Sequence, residues 1–211
     1  VIMDDVSVRL IRRVPGPTLV RVGKRLVARP TVPAAKLPRL DLADLVTQDV
    51  IAGRGSAVAG FFDTSVLLGG LIELGPASEP AQKIMAAITA GHVRRPLTAW
   101  HCCLEFYAVS TRLPEEVRLS PPDALRLVEE EILSRFDVRQ LPDDHRGSFL
   151  HAAAGDRLVG GRIYDAHIAE IARASRVPVV VTDNVRHFAG LRRHGVDVVT
   201  AAQFAETITA T

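Results

Sequence analysis

From about residue 58 onward, short apolar runs alternate with longer stretches of helical periodicity, and that alternation allows few folds. VAGFFD, VRRPLTAW, FDVRQL, PVVVTD and VDVVT read as strands. The best of them, PVVVTD, is continuously apolar and β-branched between Pro178 and Asn184, the pattern of a strand covered on both faces. Between the strands lie helices: from about Ser65 to Leu74, through EPAQKIMAAITA, and from His101 to about Arg112 before Pro114. Further on, Ser120 with Pro121, Pro122 and Asp123 starts a helix running through LRLVEEEILSRF. Others follow through DHRGSFLHAAAGD, from Gly161 to Ser175, and from Ala202 to the end. The expectation is an α/β fold of three layers, α/β/α, around a central, mostly parallel sheet.

The 211 residues, 47% of them hydrophobic, suit one ordinary domain and an extension. No apolar run approaches the roughly 20 residues that span a bilayer, and the start VIMDDVSVRL has no secretory apolar stretch. A soluble, cytoplasmic protein without a membrane partner is expected. Cys102 and Cys103 are adjacent on a predicted helix, which denies them an ordinary mutual disulfide and any metal-ligand spacing. They read as small buried side chains.

Charge divides the chain unevenly. Residues 1–60 hold ten of the 26 Lys and Arg but five of the 24 Asp and Glu. The same segment carries Pro15, Pro17, Pro30, Pro33 and Pro38, and SVRLIRRVPGPTLVRVGKRLVARP reads as short β segments around a turn near Gly23. LPRLDLADLVTQDV then reads as a short helix and AGRGSAVAG as a loop, placing a boundary near residue 58. Residues 1–58 are a basic extension and 59–211 the α/β domain.

Four acids sit where a plain core would be apolar or neutral. Asp63 closes GFFD and Asp183 closes PVVVTD, at the carboxyl ends of strands, where open α/β sheets bind ligands. Asp165 shares a helical face with Ile168, Ala169 and Ala172, and Glu105 lines up with Cys102, Ala108 and Val109. Both are expected near the first turns of their helices, where the dipole favours negative charge. Gathered carboxylates in a low-dielectric site repel one another unless protonated, paired with a cationic side chain, or bound to a cation. Plainer roles stay open: an N-cap for Asp63, a turn for Asp183, arginine pairing for Glu105 and Asp165.

In FFDTSVLL, LTAWHCCLEFYAV, GGRIYDAHIAEIA and VVVTDNVRHF, residues 59 to about 208 resemble the PIN domain ribonucleases, and among them the VapC toxins of bacterial toxin–antitoxin pairs. The resemblance implies a PIN-like fold and an endoribonuclease dependent on Mg2+ or Mn2+, hydrolysing RNA phosphodiester bonds with metal-activated water. It makes Asp63, Glu105, Asp165 and Asp183 the catalytic, metal-binding acids and Thr64, Ser65, Thr182 and Asn184 their support. A homodimer is also implied. Arg162 and Arg186 flank the last two motifs and are candidates for RNA phosphates. His101, His167 and His187 are too scattered for a zinc site and read as core or rim residues; Trp100, Phe106 and Tyr107 read as packing. Glu129, Glu130 and Glu131 read as a solvated helix face. Gly69 and Gly70 loosen a helix richer in leucine elsewhere in the family.

The extension is the departure from that family, whose toxins usually begin near the first strand. PTLVRVGKRLVARPTVP resembles the hairpin of Phd-type antitoxins. That implies an antitoxin acting in cis through residues 1–58, with Arg54 or a neighbour reaching the acidic pocket, or else in trans; the plainer expectation is a basic arm that packs on the domain or binds RNA. A receiver domain would need an acidic pair at its first strand and a late lysine, and a HAD-type phosphatase a second Asp where Ser65 stands. The rival function is a noncatalytic module that keeps the fold and binds protein or nucleic acid.

Overall fold

A computed structural model describes residues 16–33 and 60–209. The short helix expected in LPRLDLADLVTQDV, Arg54 and the boundary near residue 58 lie outside the described residues.

Five parallel strands make the central sheet: β3 (Gly60–Phe62), β4 (Leu97–Ala99), β5 (Asp137–Arg139), β6 (Val179–Val181) and β7 (Asp197–Val199), in the order β5-β4-β3-β6-β7. All residues of β3, β4 and β6 are buried, as continuous apolar runs covered by helices on both faces must be. The chain fills the sheet outward from β3 to β5, then returns to lay β6 beside β3. The order therefore reverses between β3 and β6, and a crevice opens beyond their carboxyl ends.

The helices are α1 (Thr64–Leu71), α2 (Glu79–Ala90), α3 (Trp100–Ser110), α4 (Pro121–Leu127), α5 (Asp143–Gly155), α6 (Arg162–Ala174), the single turn α7 (Val185–Phe188) and α8 (Ala201–Thr209). Ser120 caps α4 as expected, accepting a hydrogen bond from the Asp123 amide at 3.3 Å. Phe62 anchors the core, meeting Phe136 and Phe204 edge-on with ring centroids 5.9 and 5.3 Å away. Gly70 has a packing reason: a Cβ there would stand 2.4 Å from Met85 Cγ on α2. Gly70 allows the close approach of α1 and α2. Cys102 and Cys103 are buried, and burial pushes the Cys103 thiol up to about 11. No helix among the described residues is long and apolar enough to cross a membrane.

The extension supplies an antiparallel hairpin, β1 (Thr18–Val22) and β2 (Arg25–Arg29), turning through Gly23 at φ 61°. Only glycine takes that conformation without strain. Leu26, Val27 and Ala28 are buried, and the Glu73 amide donates to Ala28 O at 3.0 Å just beyond α1. Each hairpin arginine finds a partner on the domain. Arg21 pairs with Glu130 at 2.9 Å, Arg29 grips Glu73 through two nitrogens at 3.0 and 2.9 Å, and Arg25 donates to Gln82 O at 3.1 Å. The three hairpin arginines are thus engaged in docking.

That docking corrects the expectation for the three glutamates. Glu129 is exposed, but Glu131, in a π-helical turn (Val128–Leu133) continuing α4, is 0% exposed. Its Oε1 accepts the Leu26 amide at 2.5 Å, and its Oε2 accepts Arg135 Nε at 2.8 Å. A run of three acids looks solvated in sequence because the strand that covers one of them lies 105 residues earlier.

Candidate active site

At the carboxyl end of β3 the chain turns directly into α1, and Asp63 occupies the junction. It stands at the N-cap position yet makes no side-chain cap bond, so the plain capping role does not account for it. Its carboxylate points inward, 4% exposed, and accepts from Thr182 Oγ1 at 2.8 Å and Ser65 Oγ at 3.2 Å. Burial pushes the Asp63 carboxyl up to about 7, and the charges of Glu105 and Asp165 push the same way; the Thr182 hydroxyl and the Thr64 amide oppose them.

Beside it opens a cavity of about 670 Å3 lined by Asp63, Thr64, Glu105, Asp165, Asn184 and His187, with Arg112, Arg162 and Tyr164 also on its wall. Glu105 is held by Thr64, whose hydroxyl donates to Oε2 at 2.5 Å. It is not in a first turn, contrary to expectation: α3 begins at Trp100, straight out of β4, and Glu105 is its sixth residue. The helix dipole therefore does little for it. Asp165 does lie in the first turn of α6, with Ile168 and Ala172 buried along the same face. Neither acid forms an ion pair with Lys or Arg among the described residues; the partner of Asp165 is His187, whose Nδ1 lies 2.7 Å from Oδ2.

Asp183 is placed differently. Its amide donates to Ser65 Oγ at 3.1 Å, but its carboxylate turns to the start of α8, accepting the Ala201 amide at 3.3 Å, and it is absent from the cavity wall. Burial raises its pKa while the Ala201 amide lowers it. The neighbouring residue faces the cavity instead. Asn184 is 4% exposed, its Nδ2 lies 2.9 Å from His187 Nδ1, and its Oδ1 is buried with no hydrogen-bond partner among the described residues. Of the two candidate arginines, Arg162 lines the cavity, whereas Arg186 is exposed away from it.

Three carboxylates on one cavity, two of them acting on the third, with a buried Asn184 oxygen that has no partner among the described residues, fit a hard cation, for which oxygen donors are the matching set. Among the described residues no three His, Cys, Asp or Glu side chains converge as a finished cage. Mg2+ seldom needs one, since it binds through one or two carboxylates and keeps waters or substrate phosphates as its other ligands. His187 and Asn184 are the residues the sequence undervalued. Their spacing of three, on a single turn directly after a strand end, was the available signal.

A parallel sheet whose order reverses beside a carboxylate-lined crevice is common to many α/β proteins; residues 60–186 match the family model described as PIN domain. The chain belongs to the PIN domain family. Over 102 residues it is 34% identical to ribonuclease VapC27 of Mycobacterium tuberculosis, covering 48% of this chain and 72% of that protein. Among solved structures, DNA-bound VapBC from Salmonella typhimurium is similar at 22% identity and a TM-score of 0.46, covering 68% of this chain and 98% of that one. VapBC2 from Rickettsia felis, bound to a promoter DNA fragment, is similar at 13% identity and a TM-score of 0.45, covering 67% and 98%.

Proposed function

We propose that this protein is a VapC-like endoribonuclease that hydrolyses RNA phosphodiester bonds with Mg2+ or Mn2+. The observation that carries the reading is the buried Asp63 carboxylate, with no cationic side chain among the described residues to neutralise it, sharing one cavity with Glu105, Asp165 and Asn184, whose buried Oδ1 has no partner among the described residues. Asp63 and Glu105 would hold the ion, with Asn184 Oδ1 rather than the Asp183 carboxylate as the further oxygen donor. A divalent ion bound there supplies positive charge to the scissile phosphate and lowers the pKa of a coordinated water. The Thr64 hydroxyl fixes the Glu105 carboxylate, so its oxygens need little reorganisation on binding. Asp165, held by His187 in the same cavity, would orient the attacking water through its carboxylate. Arg162, which makes no hydrogen bond or ion pair to the described residues, is free to meet a flanking phosphate. Cleavage would leave a 5′-phosphate and a 3′-hydroxyl, since no ribose hydroxyl need attack.

The VapC resemblance brings an antitoxin partner, in trans or in cis. The hairpin itself does not plug the site: it docks on Glu73, Gln82, Glu130 and Glu131, none of which lines the cavity. Cleavage of total RNA with Mg2+, Mn2+ or EDTA, followed by mapping of the ends, tests the assignment. Asp63→Asn should abolish cleavage while the protein stays folded, Asn184→Ala should cut it severely, and Asp183→Asn should leave most of it. Cleavage that persists in EDTA and in the Asp63 variant would overturn the reading. A protein that neither cleaves RNA nor binds Mn2+ by calorimetry would be the noncatalytic module instead.

A further inference from the structure

One aromatic ring on the cavity lining is packed on one face only and leaves the other open. Tyr164 is 55% exposed, on the first turn of α6 directly before Asp165. One face of its ring stacks on His101 from α3, with centroids 5.2 Å apart and planes 25° from parallel. His101 in turn meets His167 edge-on at 5.5 Å, and His167 leans on Phe149 at 5.4 Å. A solvent-facing tyrosine would ordinarily sample several rotamers, but this ring is backed by a column of three others running into the protein. The ordering entropy of a contact on its open side is therefore largely spent before any ligand arrives.

We propose that Tyr164, buttressed by His101, is a stacking platform for an unpaired base of the RNA beside the scissile phosphate. The proposal rests on the nuclease reading above and adds to it one residue, Tyr164, that would hold a base. Arg162 and Arg112, the latter steadied by its Nε bond to Ala108 O at 3.0 Å, line the same cavity, and an aromatic face with guanidinium groups nearby is a combination that grips single strands, cations on the backbone and rings on the bases. In a duplex both faces of each base are already covered by neighbours, so the platform selects loops, bulges and ends. Stacking is tolerant of base identity, so it sets where the strand lies more than which sequence is cut.

The test is fluorescence anisotropy with a labelled twelve-nucleotide single-stranded RNA in EDTA, which prevents cleavage, repeated with oligonucleotides carrying one abasic residue at each position in turn. Tyr164→Ala should weaken binding about tenfold, while Tyr164→Phe and Tyr164→Trp stay close to wild type. One abasic position should cost the wild type about the same factor and cost the alanine variant nothing further, because ring and base are two halves of one contact. In Mn2+ cleavage the alanine variant should raise KM with kcat little changed. The proposal is overturned if Tyr164→Ala binds as the wild type does, if no abasic position is coupled to it, or if the variant alters mass by light scattering while RNA affinity holds. Wild-type protein that cleaves RNA while the variant is indifferent removes the platform alone. Wild-type protein that neither binds nor cleaves removes the nuclease reading, and the platform with it.

Discussion

Two buried carboxylates in this protein have opposite surroundings. Glu131, fully buried under the hairpin, receives a guanidinium from Arg135 and the main-chain N–H of Leu26. Asp63, almost as deep, receives from the described residues hydroxyls of Thr182 and Ser65, the Thr64 amide and a distant thiol, Cys102 Sγ at 4.0 Å, but no cationic side chain, and it faces two further acids. Both incur the desolvation of a carboxylate. At Glu131 the chain itself supplies the compensating charge, so the group is structural. At Asp63 no charge among the described residues does so, which leaves the group to a proton or, under the proposed function, to a bound cation.

The sharpest way to break that comparison is to remove the compensated acid. Glu131→Ala leaves the Leu26 amide and Arg135 without their acceptor, and losing one partner of a buried pair typically costs about 3–5 kcal/mol. Urea unfolding should show a loss of that order, with the hairpin becoming the first site of proteolysis. Glu131→Gln should lose less, because its amide oxygen still accepts the Leu26 N–H. A Glu131→Ala protein within about 0.5 kcal/mol of wild type, the range of an ordinary surface change, would mean that the hairpin is not held by this carboxylate.

The uncompensated acid makes the opposite prediction, read as pH dependence. The folded protein keeps a proton on Asp63 up to about pH 7, whereas the unfolded chain releases it near its usual carboxylate value. Between about pH 4 and 7 the native state therefore binds more protons than the unfolded one, and stability falls as pH rises, by up to about 1.4 kcal/mol per pH unit from this group. Above that window the loss is complete and the contribution is flat. EDTA-treated wild type should show this decline by thermal unfolding; Asp63→Asn should lack it and be the more stable of the two at pH 8. An identical profile for both would show that the Asp63 charge is neutralised within the protein after all.

The same contrast explains what the sequence could and could not reveal. The strands were readable because burial on both faces demands continuous apolar runs, and the start of α4 because Ser120, Pro121 and Asp123 act within a few residues. Asp63 and Asp165 were readable as inward-facing for the same local reasons. Glu105 was placed too near its helix start because α3 follows β4 through Ala99 with no capping side chain to mark the boundary. Asp183 and Asn184 are consecutive, and no periodicity at a strand end says which of them faces the cavity; α8, by offering the Ala201 amide to Asp183, decides it. Glu131 was opaque because its partner Leu26 is remote in sequence. The hairpin's shape was legible from its turn glycine, but its attachment depends on charges scattered over three other segments.

A finer test lies inside the cavity, where His187 serves two groups with one nitrogen. Its Nδ1 is 2.7 Å from Asp165 Oδ2 and 2.9 Å from Asn184 Nδ2. A ring nitrogen that donates its hydrogen to the carboxylate has no lone pair left for the amide, so both contacts cannot be satisfied together. If Nδ1 donates to Asp165, Asn184 gains by turning its oxygen toward the ring; if Nδ1 accepts from Asn184, the amide oxygen is left for another partner and the Asp165 carboxylate must look for positive charge. A cation in the cavity rewards the second arrangement at both ends. His187 then acts on the ion through residues that touch it, and such supporting groups are typically worth about 10–100-fold in metal affinity. His187→Ala should weaken Mn2+ binding by calorimetry within that range without lowering thermal stability to match, and His187→Asn, whose side chain keeps a polar atom near the Nδ1 position, should recover part of the loss. Equal affinity in all three proteins would reduce His187 to a residue of the cavity rim.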